Sequence, residues 1–97
     1  SYPNDHTNFD STKVDMIKKN VSTAKDVVAV MGSPSGEYAS PMVAPPVERA
    51  LVYRYSQVQI SIAPFTDPTV HSTTKEMIAG LDKNGVVVDV KYSSSQN

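Results

Sequence analysis

The sequence predicts a small α+β domain in which two N-terminal helices pack on a three-stranded antiparallel sheet, in the order α-α-β-β-β. Three observations carry that expectation. Valine dominates the apolar residues, while Leu51 and Leu81 are the only leucines, a balance that favours strands over a helical bundle. The first third of the chain nevertheless carries two helix-capping patterns. The last quarter places Asn84-Gly85 between two apolar runs, the strongest short hairpin signal a sequence offers. Its 97 residues make one domain, assigned to residues 9–93, between a loose polar arm over 1–8 and a polar tail over 94–97.

The first helix is expected from Asp10 to about Lys19. Asp10 is a good N-cap, and Phe9 before it can staple against Val14. Val14 and Ile17 share a face, Lys18 and Lys19 suit the C-terminal dipole, and Asn20 can close the helix in a left-handed conformation. In the second helix Thr23 and Asp26 form a capping pattern, and Ala24, Val27, Val28 and Met31 follow the spacing of one buried stripe. Gly32 ends it and Pro34 forbids its resumption.

The stretch from Ser33 to Pro46 holds four prolines and no period, so it reads as a long connection outside the helix–sheet scheme. Glu48 to Ala63 reads as a long strand whose alternation changes phase. Leu51, Tyr53 and Tyr55 share one face, whereas Val58, Ile60 and Ile62 have the opposite parity, and a bulge near Ser56-Gln57 would reunite them. Pro64 to Thr73 is a second loop. Strands over Thr74–Asp82 and Val86–Ser93 then flank Asn84-Gly85. A two-residue turn there pairs Leu81 with Val88, Ala79 with Val90 and Met77 with Tyr92, all on one face. A three-residue turn, Lys83-Asn84-Gly85 with Gly85 as a bulge, would instead set Gly80 opposite Val88 and Ile78 opposite Val90. The first is preferred.

Composition narrows function mainly by exclusion. Nine basic and ten acidic residues give a net charge of -1 and a pI near 6.0, which argues against nucleic acid and against a polybasic membrane anchor. Without cysteine there is no disulfide, thiolate nucleophile or zinc ribbon. A hydrophobic content of 39% with a mean hydropathy of -0.30 describes a globular chain, and no apolar run reaches the ~18–20 residues of a membrane helix. The chain begins at Ser1, which fits removal of an upstream segment such as a secretory signal.

No catalytic residue, cofactor-binding residue or metal ligand is assigned. Asp82, Asn84 and Gly85 fail the spacing of a calcium loop and read as a turn. Gly32 and Gly36 bracket Ser-Pro-Ser without the Gly-Lys-Ser/Thr of a phosphate cradle. His6 and His71 have no partner at metal-pair spacing and read as solvated, as do Asp82 and Asp89 flanking the hairpin. What remains is apolar residues in connections: Tyr38, Met42 and Val43 in the first and Phe65 in the second. They either lid a thin core or, held by prolines, contact a protein partner with little ordering entropy lost.

The run Thr23-x-x-Asp26-Val27-x-x-x-Met31-Gly32-Ser33-Pro34 resembles the T-x-x-Q/E-V-x-x-x-L-G-x-P signature of SmpA/OmlA-type small outer-membrane lipoproteins, although Val21 stands where that family has glycine. In that family a short helix precedes the motif, and an aromatic strand and an Asp-x-x-Gly-Val hairpin follow it. Asp10–Lys19, Val52-Tyr53-Arg54-Tyr55 and Asp82–Val86 would take those places. The resemblance implies two helices on a three-stranded sheet, the β-lactamase-inhibitor-like fold. It also implies a lipoprotein acylated on a cysteine upstream of Ser1, at the periplasmic face of the outer membrane. The function it implies is non-enzymatic: an accessory subunit contacting a protein partner in a cell-envelope or secretion assembly. The membrane would be touched only through the lipid, and no nucleic acid or cofactor would be bound. The alternative is a secreted or periplasmic enzyme inhibitor that inserts a loop into its target.

Overall fold

The computed structural model describes residues 8–96, and the expected N-terminal arm lies almost wholly outside them. Its regular elements are a 3-10 helix (Ser11–Met16), one α-helix, α1 (Ala24–Met31), and four strands: β1 (Gly36–Ala39), β2 (Arg49–Ser61), β3 (Thr69–Leu81) and β4 (Val87–Gln96). The strands form one antiparallel sheet in the order β1-β2-β3-β4, each joined to the next in sequence. The molecule is therefore a four-stranded meander with two short helical segments, and the expected α-α-β-β-β arrangement on three strands is wrong.

The helical signals are local, and they locate the helices better than they set their lengths. Asp10 caps the first segment by accepting from the Thr12 N–H at 3.0 Å, but the segment closes as a single stretch of 3-10 helix. Ile17 is already extended (φ -88, ψ 117) and buried, and Asn20 adopts the left-handed φ of 66. With Met16 58% exposed and only Val14 and Ile17 reaching the core, nothing holds a longer helix against the sheet. In α1 both halves of the capping box form, Thr23 Oγ1 accepting from Asp26 N–H and Asp26 Oδ2 from Thr23 N–H. Gly32 then turns the chain at φ 89. The buried stripe is Val27 and Met31 with Ala24 and Val30 beside them, whereas Val28 stands 41% exposed.

The structure makes three corrections among the strands. Gly36–Ala39, inside the connection expected to be structureless, pairs with β2 from Gly36↔Val52 to Ala39↔Arg49. β3 starts five residues earlier than expected, at Thr69, and β4 runs on to Gln96 opposite Thr73. Finally, β2 has no bulge at Ser56-Gln57. Its pairing with β3 keeps one register from Arg49↔Leu81 to Ser61↔Thr69, so Tyr55 and Val58 lie on opposite faces.

The last hairpin reaches the preferred register by an unexpected turn. Ala79↔Val90 and Met77↔Tyr92 pair as expected, but Leu81 pairs with Val87 and a bulge follows Gly80. Gly85 N–H donates to the Asp82 carbonyl at 3.0 Å and Asp82 N–H to the Val86 carbonyl at 2.9 Å, with Gly85 at φ 78. That is the three-residue turn with a left-handed glycine. The Asp82 carboxylate fixes it by accepting from the Asn84 and Val86 N–H groups. Val88, left without a partner, restores the register the apolar face demands.

One face of the sheet carries the core. Leu51, Tyr53, Met77, Ala79, Leu81 and Val87 pack against Val27 and Met31 of α1 and against Phe9 and Ile17 around the 3-10 helix. Lys75 Nζ donates to the Phe9 carbonyl at 2.5 Å and lies 4.8 Å from its ring centroid, pinning that segment to the sheet. The core stops at Tyr55. Beyond it the strands run on, so the molecule measures 59 × 27 × 23 Å. Its radius of gyration is 16.3 Å, against ~13 Å for a compact chain of this size.

Candidate interaction surface

The outer half of the β2–β3 hairpin has no second layer. From Gln57 to His71 every residue is exposed. Parity puts Val58 and Ile60 on the face opposite the helices, with Val70 directly across from Ile60. They are 64%, 61% and 59% exposed, and Ile62 in the connecting loop is 79% exposed. At the loop tip Phe65 is wholly exposed and holds a left-handed φ of 67. That conformation is costly for a bulky side chain, and glycine would adopt it freely.

The same segment is also an open edge. β1 covers β2 only as far as Val52. The next outward-facing residue, Arg54, has its N–H and C=O both bonded by the Ser35 hydroxyl, at 3.0 and 3.3 Å. On the open face Arg54 also donates through Nε to Glu76 at 2.8 Å, an ion pair that raises the guanidinium pKa further. After Arg54 the strand carries no charge as far as Ala63.

The four residues expected to form a contact do not converge. Tyr38 lies on β1 and Met42 and Val43 in the β1–β2 connection, at the end of the sheet where β2 begins. Phe65 sits past the other end of that 13-residue strand, some ~40 Å away at the usual rise. Tyr38 and Met42 are exposed, while Val43 is half-buried. The connection also works as a lid. Val47 lies so close over Gly80 that a Cβ there would meet its methyl at 2.9 Å, and Glu48 N–H donates to the Leu81 carbonyl. Beneath it Ala50 and Val52 are buried on the face away from the helices. Sequence reasoning missed Val58, Ile60 and Val70. Their signal was the phase change itself, since apolar residues of the wrong parity mark an uncovered face as readily as a bulge.

Chemistry-bearing residues are scattered. His6 lies outside the described residues, and His71 is exposed opposite Gln59. Among the described residues no group of three His, Asp or Glu side chains could hold a metal ion, and no helix is long and apolar enough to cross a membrane. A shallow cleft of about 390 Å³ lies between Phe9, the Gly32–Ser35 turn and Tyr53. Its one buried polar group, the Tyr53 hydroxyl, donates to the Gly32 carbonyl at 2.6 Å, and burial pushes its pKa up to about 12. That hydroxyl ties α1 to β2 and is neutral across the physiological range. No known protein family, curated protein or solved structure matches the chain.

Proposed function

We propose that the protein is a non-enzymatic interaction module whose contact surface is the outer half of the β2–β3 hairpin. The observation that carries this reading is the exposed apolar series Val58, Ile60, Ile62, Phe65 and Val70 at the end of a hairpin that extends past the core. Contiguous apolar surface of this kind marks a contact site. The left-handed Phe65 adds to the argument, because backbone strain at an exposed tip is retained where the side chain is used. Tyr38 and Met42 form a separate exposed group near the lid. A setting at the periplasmic face of the outer membrane, as an accessory lipoprotein subunit, rests on the Thr23–Pro34 resemblance alone, since the sheet is not the one that family implies.

A photo-crosslinking residue at Phe65, with Lys25 on the exposed side of α1 as control, tests the reading in the producing cell. Protein adducts from position 65 and none from position 25 are expected. Adducts from neither position, or equally from both, would overturn it. A second reading, an inhibitor that inserts the Ile62–Pro68 loop into an enzyme, is favoured by the projecting Phe65. It would show as a single enzyme adduct at that position.

A further inference from the structure

We infer that the open edge of β2 is filled by β2 of a second copy of this chain, running antiparallel about a two-fold axis at Val58. The inference rests on the hairpin being a contact surface and names what contacts its edge.

The backbone groups of β2 set the pairing. Even-numbered residues of β2 direct N–H and C=O away from β3, as the Arg54 bonds to Ser35 show. Up to Arg54 these groups are closed by β1 or by Ser35. Past Arg54 the outward residues are Ser56, Val58 and Ile60, with no bonding partner among the described residues, and the strand ends at Ser61. The open window is thus bounded at both ends and centred on Val58. A two-fold axis there sets Val58 against Val58 of the second copy and Ser56 against Ile60 of the second copy. Every open N–H then meets an open C=O in ordinary antiparallel hydrogen-bonded pairs. Moving the axis by one residue leaves a pair of groups unmatched on each chain, so the window fixes its own register.

Side-chain chemistry favours the same occupant. A two-fold contact sets the residue on the axis against its own copy, which penalises any charge close to the axis. Tyr55 to Ala63 carries none, and no proline, bulge or lysine guards this edge. The opposite edge, β4, is guarded by Asp89 and Lys91. On the open face the axis brings Val58 beside its copy, with Ile60 and Val70 next to it.

Sedimentation velocity on the full chain and on V58K and V58D tests this pairing. Val58 is exposed, so both variants should unfold at temperatures close to the parent's when all are dilute. The parent is expected to dimerise. Each variant alone should associate at least tenfold more weakly, because the axis sets like charges together. An equimolar mixture of V58K and V58D should recover the dimer. A V58K chain that dimerises like the parent, or a mixture that stays monomeric, would overturn the pairing. A monomeric parent whose position 65 still crosslinks in the cell overturns the pairing and leaves the hairpin as a contact surface for another protein. A monomeric parent with no crosslink overturns both.

Discussion

Thr23, Tyr53 and Gly80 each do one identifiable thing. Thr23 Oγ1 accepts from the Asp26 N–H at the start of α1, and the Thr23 N–H donates back to the Asp26 carboxylate. Thr23→Ala should therefore lower stability by roughly 0.5–2 kcal/mol in urea unfolding without altering the sheet. Tyr53 is 2% exposed and its hydroxyl is held neutral, with its pKa pushed up to about 12. An unfolded tyrosine titrates near ~10, so the stability this group contributes is complete below that pH and is lost as pH rises toward 12. Titration at 295 nm should show one tyrosine ionising well after the others, together with unfolding. Tyr53→Phe should remove that late step and cost about 1 kcal/mol. At Gly80 the Val47 methyl stands 2.9 Å from where a Cβ would be, and valine is stiff. Gly80→Ala should cost roughly 1–3 kcal/mol and loosen the lid. An unchanged unfolding midpoint for that variant would show that Val47 is not pressed onto the sheet.

At the level of elements, legibility followed how local the cause was. The capping box, the left-handed Asn20 and Gly32, and the Asn84-Gly85 hairpin arise within a few residues, and each was readable. The length of the first helix was not, because its cap is local but its end depends on Ile17 finding the core. β1 was hidden for a similar reason. Gly36–Ala39 has no alternation of its own and becomes a strand only because Ala50 and Val52 present an edge to it. The connection is thus part of the sheet at its start and a lid at Val47. Replacing Gly36–Ala44 by a short Gly-Ser bridge should strip β1 from β2 and lower the midpoint of thermal unfolding measurably, where a purely external loop would leave it in place. The candidate site was half legible. Phe65 stood out as an aromatic residue in a loop, whereas Val58 and Ile60 were drawn into the core by assuming that apolar residues on one strand must share one face.

Taken whole, the molecule divides along its long axis into a covered half and a bare one. The half holding α1, the 3-10 helix and the lid buries both faces of the sheet, on one side with Val27, Met31 and Phe9 and on the other with Val47. The other half is bare sheet, held in place as the continuation of strands paired in the covered half. The central claim is that the open edge of β2 in this bare half pairs with β2 of a second copy of the chain. Residue-resolved amide hydrogen exchange of Val58 and Ile60, followed as the concentration of the full protein is raised, tests it most directly. These amides face away from β3 and should exchange freely at high dilution, then become protected with concentration while core amides such as those of Tyr53 and Met77 stay slow throughout. Slow exchange at Val58 and Ile60 at every dilution would show the edge already closed within the chain, and free exchange at every concentration would show it left open; either result contradicts the account.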